Sequence, residues 1–397
     1  MILGFEMDDL IKMDGYNTAQ EIVQQPALWK KIYELIEKDR QRIADFLKER
    51  IDGDTRILFT GAGSSDYVGD IVKSHVKSCR NVRAESVATT DIVANPQEVI
   101  ERETKTVLVS FARSGNSPES IGAYRIMQEN TEEIAHVVIT CNKDGDLVKE
   151  ANGNGNCFML ILPEETNDKG FAMTSSFSCM LLAALLFFDI ERLEENRNYV
   201  DTVSRLGECI LREDWGKMRA LSETNPERVV YLGAGCLSGL VREMALKNME
   251  LTNGKIATMQ ETILGFRHGP KTFMDEDTNV IILMSRSEYT NQYIRDLLQE
   301  IYHDTRKHKL TVISCEKDEE IEKISDECIF VEGASVPDVY SALVYVLYGQ
   351  MFAFYNSARL GINPDNPSPD GSVNRVVKGV VLHSYCDMPQ RECEVMA

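Results

Sequence analysis

Glu243, Lys247 and Glu250 stand at i, i+4 and i+7. That spacing puts two carboxylates and a lysine on one face of a helix. Alone, it would equally make a solvated ladder of ion pairs. The segment Glu261-Thr-Ile-Leu-Gly-Phe-Arg-His268-Gly-Pro270 follows shortly after. A histidine before Gly-Pro, in a loop rich in apolar residues, is poorly explained as core. A carboxylate, a lysine and a histidine suit proton transfer at a sugar: a base for the carbon next to a carbonyl, and an acid/base for ring opening.

A second segment could hold an anion. Ser110-Phe-Ala-Arg-Ser-Gly-Asn-Ser117-Pro-Glu runs from a strand pattern into a helix pattern. Ser117-Pro118-Glu119 reads as an N-cap with proline at the first helical position. The free N–H groups of that helix start, Gly115, and the hydroxyls of Ser114 and Ser117 form a cradle for a phosphate without a lysine. A capped helix with no ligand would show the same cap. The Gly63-Ser64-Ser65 turn and the Thr174-Ser175-Ser176 cluster add hydroxyls at other strand ends.

The elements that must position these groups repeat. Thr60-Gly-Ala-Gly-Ser-Ser65 returns as Leu232-Gly-Ala-Gly-Cys-Leu237, Arg113-Ser-Gly-Asn-Ser117 as Arg286-Ser-Glu-Tyr-Thr290, and Ile139-Thr-Cys-Asn-Lys-Asp144 as Ile313-Ser-Cys-Glu-Lys-Asp318. The order is kept at a nearly constant offset, which indicates a tandem duplication. Apolar, β-branched strands alternate with helices in both halves, starting at Arg56, Thr106, His136 and Phe158, then at Arg228, Asn279, Leu310 and Cys328. This predicts an α/β fold of two doubly wound, flavodoxin-like parallel-sheet domains, over residues 51–200 and 215–360. Residues 1–50 are expected to be helical, with one periodic stretch from Ala27 to Ile51. The turn-rich tail, 361–397, reads either as disordered or as a loop laid over the site, and its valines favour the packed version. Ligands of such sheets bind beyond the carboxyl ends of the strands. The second copy carries Glu288 where the first has Gly115, so the first copy should bind the phosphate and the second should not.

Composition narrows the setting. The formal net charge of −20 disfavours nucleic acid and anionic membranes as partners. It also means that local dipoles and hydroxyls must attract an anionic substrate. No apolar run is long enough to span a bilayer; the longest, Cys179–Phe188, reads as a buried helix. The N-terminus lacks the basic region of a signal peptide, so a cytoplasmic location is expected. The ten cysteines include no CxxC pair and are expected to be reduced. His383, Cys386 and Cys393 fit no common zinc spacing.

Over residues 40 to 385 or so, the chain resembles the double-SIS (sugar isomerase) family, and within it the AgaS-type branch and the isomerase half of glucosamine-6-phosphate synthase. The Ser-Gly-x-Ser turn, Glu-x₃-Lys-x₂-Glu, His-Gly-Pro and Asn363-Pro-Asp-Asn-Pro367 together carry the resemblance. It implies that Ser65, Ser114 and Ser117 hold the phosphate and that Thr174 lies near the sugar. Glu250 is then the isomerisation base, Lys247 the matching helix lysine, and His268 the ring-opening histidine, supplied by the neighbouring subunit. Lys378 falls where the synthase tail presents a lysine to the sugar. The synthase's Ser-Gln-Ser-Gly-Glu-Thr reads Ala112-Arg-Ser-Gly-Asn-Ser117 here, its Ser-Thr-Lys reads Met173-Thr-Ser175, and the Glu250-to-His268 spacing is slightly longer. Without the synthase's glutaminase domain, amination is not expected. The resemblance thus implies a homodimer with shared active sites that needs no cofactor or metal. The expected activity is deamination of galactosamine 6-phosphate, or a close hexosamine 6-phosphate, to ketose 6-phosphate and ammonia. Plain isomerisation of tagatose 6-phosphate is the alternative. A sugar-phosphate sensor without turnover is the reading from another class.

Overall fold

The computed structural model describes residues 1–385 apart from 305, 307, 334 and 378. Four helices come first: α1 (Met7–Lys12), α2 (Tyr16–Val23), α3 (Gln25–Lys38) and α4 (Arg40–Arg50). The periodic stretch from Ala27 is therefore two helices, broken at Asp39. The first sheet unit follows as β1 (Arg56–Thr60), α5 (Ser64–Arg80), β2 (Arg83–Ser86), α6 (Thr89–Ala94), β3 (Thr106–Ala112), α7 (Pro118–Asn130), β4 (Ile134–Thr140), α8 (Asp146–Ala151), β5 (Cys157–Ile161) and α9 (Ser175–Phe188). Helices α10 (Leu193–Glu213) and α11 (Trp215–Glu223) lead into the second unit. That unit runs β6 (Arg228–Leu232), α12 (Leu237–Leu251), β7 (Ala257–Glu261), β8 (Thr278–Leu283), α13 (Glu288–Tyr302), β9 (Lys309–Ser314), α14 (Glu319–Lys323), β10 (Glu327–Phe330) and α15 (Asp338–Arg359).

Both sheets are fully parallel. Their orders, β2-β1-β3-β4-β5 and β10-β9-β8-β6-β7, are the same topology in each copy. The central strands are buried along their whole length because helices cover both faces. β2 and β7 have no apolar run in the sequence. As edge strands they pair on one side only and remain partly exposed, so Arg-Ala-Glu-Ser and Ala-Thr-Met-Gln-Glu suffice.

The order reverses between β1 and β3, where adjacent strand ends open a crevice. Thr60 and Ser110 are register partners there, so the turn after β1 and the turn after β3 lie side by side. The equivalent helices of the two copies, α5 and α12, pack against each other across the seam. Gly239 permits this approach, since a β-carbon there would come within 2.9 Å of Asp70 and Ile71 side-chain atoms. Every residue of α9 is buried, as is nearly all of α15. The N-terminal helices close over these two. Trp29 Nε1 donates to Ser178 Oγ at 3.0 Å, and Gln25 Nε2 donates to Gln350 Oε1 at 2.7 Å.

Candidate active site

The turn after β3 has the shape its residues predict. Gly115 sits at φ +66°, a conformation that costs a β-carbon-bearing residue energy. The space around it is ordinary, so conformation rather than crowding calls for glycine. The following strand's loop fastens the turn. Asn142 Nδ2 donates to the Ser114 carbonyl at 2.8 Å, Leu147 N to the Gly115 carbonyl at 2.8 Å, and Asp146 N to Asn116 Oδ1 at 2.9 Å. Ser117 is the N-cap of α7, with its hydroxyl 2.6 Å from that of Ser120. Ser65, in the first turn of α5, joins Ser114, Gly115 and Ser117 around one cavity of about 100 Å³.

Sequence reasoning left two arginines out of this cavity. Arg113 and Arg375 both line it, together with Val376 and Val377 of the tail. Two guanidinium groups thus stand beside the expected hydroxyls and backbone dipoles around the cavity. The described part of the tail is tied down at its polar residues, while Val373, Val377, Val380 and Val381 stay exposed, so the valines do not pack it. Asp365 accepts from Asn17 N and Thr18 N at 2.9 and 2.7 Å, and Arg375 Nε donates to the Asp168 carbonyl at 3.0 Å. Lys378 lies outside the described residues, as do Cys386 and Cys393.

Thr174 does not line the cavity. It is buried, with its N–H and hydroxyl both donating to Asp168. Asp168 also accepts from Ser175 N at 3.0 Å, Ser176 N at 2.9 Å and the Ser176 hydroxyl. One carboxylate thus serves the orphan N–H groups that open α9. The signal was present in the sequence: three hydroxyl residues starting an apolar helix need an acceptor, and Asp168 lies just upstream.

The second copy supplies the Glu243, Lys247 and Glu250 face of α12 from the other side of the seam. Lys247 is fully buried; its Nζ is ion-paired with Glu250 and lies 3.6 Å from Glu243 Oε1. Burial works against the lysine's charge, but the two carboxylates outweigh it and raise its pKa. Burial, reinforced by Glu250, pushes the Glu243 carboxyl up to about 8. At neutral pH, Glu250 is therefore the lysine's main partner. The Glu250 side chain keeps 26% exposure, so one end of it meets solvent while Lys247 grips the other. Arg113 is close enough for its charge to act on both Glu250 and Lys247. The two copies therefore bring the Ser114–Ser117 turn and the Glu250 end of α12 to one place.

His268 is exposed at the end of a short 3-10 turn and lines none of the cavities near these groups. No hydrogen bond joins it to Glu250 among the described residues. Glu288 occupies the second copy's turn and is bonded to Arg295 at 2.6 Å, so that turn carries its own internal anion. Among the described residues no cluster of histidine, cysteine, aspartate or glutamate could hold a metal, and the described cysteines are free thiols.

The buried Glu243 carboxyl links the site to pH. Its folded pKa of about 8 lies above its ordinary 4.5. The folded protein keeps this proton over that interval and the unfolded chain does not. The stability it contributes is thus complete below pH 4.5 and is lost as pH rises through 8. Glu243→Gln should remove this part of the decline, of order a few kcal/mol. Thermal unfolding of both proteins between pH 5 and 9 should show the variant gaining on the parent as pH rises. Parallel curves would contradict the assignment.

The SIS domain model matches residues 51–189 and 224–358, so the chain belongs to the SIS domain family as a double-SIS protein. Within that family, it is 37% identical over 382 residues to the D-galactosamine-6-phosphate deaminase AgaS of Shewanella sp. (strain ANA-3), spanning 95% of this chain and 94% of that protein. A Clostridium novyi NT crystal structure, provisionally described as a tagatose-6-phosphate ketose/aldose isomerase, superposes with TM-score 0.95 at 44% identity, covering 97% of this chain and 99% of the other. The tagatose-6-phosphate ketose/aldose isomerase of Escherichia coli superposes with TM-score 0.83 at 34% identity, covering 93% and 96%. No described helix is long and apolar enough to cross a membrane.

Proposed function

We propose that the protein is a cytoplasmic sugar-phosphate isomerase that deaminates galactosamine 6-phosphate, or a close hexosamine 6-phosphate, to ketose 6-phosphate and ammonia. One observation carries this reading: a partly exposed Glu250 held by a buried lysine, across the seam from the Ser114–Ser117 turn. The phosphate rests on Ser65, Ser114, Gly115 and Ser117, which leaves the reacting end of the sugar toward α12. His268 of a second copy in a homodimer assists ring opening. Glu250 removes the proton from C2 of the open aldehyde and returns it to C1 through an enolamine. The resulting C2 imine adds water and expels ammonia. Lys247 fixes the carboxylate throughout.

The names of the relatives support two outcomes of the same proton transfer. Deamination needs an amino group at C2, and plain isomerisation needs a hydroxyl there. Incubation with galactosamine 6-phosphate, glucosamine 6-phosphate and tagatose 6-phosphate separately, with ammonia and aldose–ketose interconversion measured, separates them. Ammonia from galactosamine 6-phosphate is the expected result. Ammonia from none, with interconversion of tagatose 6-phosphate, would make the protein a plain isomerase. Binding without any turnover would make it a sensor.

A further inference from the structure

The cavity at the Ser114–Ser117 turn holds more positive charge than a cradle of hydroxyls and N–H groups requires. Arg113 is only 8% exposed. Its guanidinium donates to two backbone carbonyls, Phe171 at 2.9 Å and Arg375 at 2.7 Å. Arg375 comes from the tail and lines the same cavity. It donates to the Asp168 carbonyl and, at 3.0 Å, to Asn167 Oδ1. Among the described residues, neither guanidinium has a carboxylate oxygen within ion-pair distance. Carbonyl dipoles orient a guanidinium but do not neutralise it. Asp168 is the acid nearest in the loop, and its oxygens are already occupied by Thr174, Ser175 and Ser176. Asp168 and Glu250 attract the Arg113 charge only from beyond direct contact, and a buried cation without a contacting counter-ion is costly. In a chain of net charge −20, buried Arg113 and half-buried Arg375 on one small cavity make a local exception to the field around them.

We propose that Arg113 and Arg375 are the cationic half of the anion site. With the Ser114–Ser117 turn they bind a phosphate dianion, and through Arg375 the bound phosphate holds the C-terminal tail against the site. A tetrahedral dianion suits this arrangement. Two guanidinium forks and the serine hydroxyls offer donors from several directions, whereas a carboxylate would use only one face. That the physiological phosphate belongs to a sugar rests on the function proposed above; the anion site itself does not.

Inorganic phosphate is therefore the probe. Calorimetric titration of the intact protein should show saturable binding, and Arg375→Gln should weaken it about ten- to hundredfold, the loss expected for one charge-assisted contact. Arg375→Lys should recover part of the affinity. Phosphate should also protect the tail from limited proteolysis in the parent but not in Arg375→Gln. Arg375 lies beyond the last helix, so this variant keeps its fold even if Arg113→Gln does not. Unchanged phosphate affinity in Arg375→Gln, with only a looser tail, would reduce the arginine to a strap and overturn the proposal. Absence of phosphate binding by the parent would overturn it too. Phosphate binding that depends on Arg375, in a protein that turns over no sugar phosphate, would sink the proposed enzyme and leave this site standing.

Discussion

Glu250→Gln should lower turnover by about 10²- to 10⁴-fold, the usual contribution of a positioned acid–base group. The substitution keeps size and shape, and an amide oxygen can still accept from Lys247. It removes the capacity to carry a proton between C2 and C1. The KM for the sugar phosphate should change little, since the proposed phosphate site is the β3 turn on the opposite wall. Thermal unfolding should stay close to that of the parent. Near-normal turnover would exclude Glu250 as the base. The same variant tests whether active sites are shared. Mixed with an inactive His268→Asn protein under conditions that exchange subunits, it should regain activity, because some sites then combine an intact Glu250 with an intact His268. No recovery would place both groups' work within one chain.

Asp168→Ala is expected to be the most damaging single change to stability. It strips the acceptor from Thr174 N, Ser175 N and Ser176 N at the start of α9. These groups are buried, so water does not readily replace the carboxylate. Each unsatisfied donor costs about 1–3 kcal/mol, and a total loss of about 3–5 kcal/mol is reasonable after local relaxation. Denaturant unfolding should show the midpoint falling accordingly, with the cavity residues Ser65 and Ser117 still in place at low denaturant. A midpoint within error of the parent would mean that the helix start finds other partners.

The sequence made the duplicated fold legible because both signals it needed were local. Central strands must be apolar on both faces, and the glycine turns that end them repeat. β2 and β7 escaped because edge strands carry no such pattern. The helix face of Glu243, Lys247 and Glu250 was legible from spacing, since three and four residues are fixed distances on a helix. What spacing could not supply was burial. A ladder of three charges on a surface looks the same in sequence as one with Lys247 and Glu243 at zero exposure. Arg113 and Arg375 were missed for a related reason: they meet each other and the 167–171 loop only where the tail crosses the first domain, and no periodicity encodes that crossing. Asp168 differs, since its partners Thr174, Ser175 and Ser176 are local and the need of the α9 start for an acceptor already pointed to it. His268 marks the opposite limit: its motif was plain, yet a single chain leaves it away from Glu250.

Asp365 accepts from Asn17 and Thr18 across 348 and 347 residues of chain. The helix start it completes is synthesised long before its acceptor. Until then, α2 and the two β-sheet units can each gather locally, but the segment that joins the tail to the first helices has nothing to hold. Contacts so distant in sequence are costly to close early and favour late assembly. Assembly of this protein should therefore close late with a fastening step: the segment after α15 reaches back to α2, and the cavity at the Ser114–Ser117 turn acquires Arg375, Val376 and Val377 only when that lock is made.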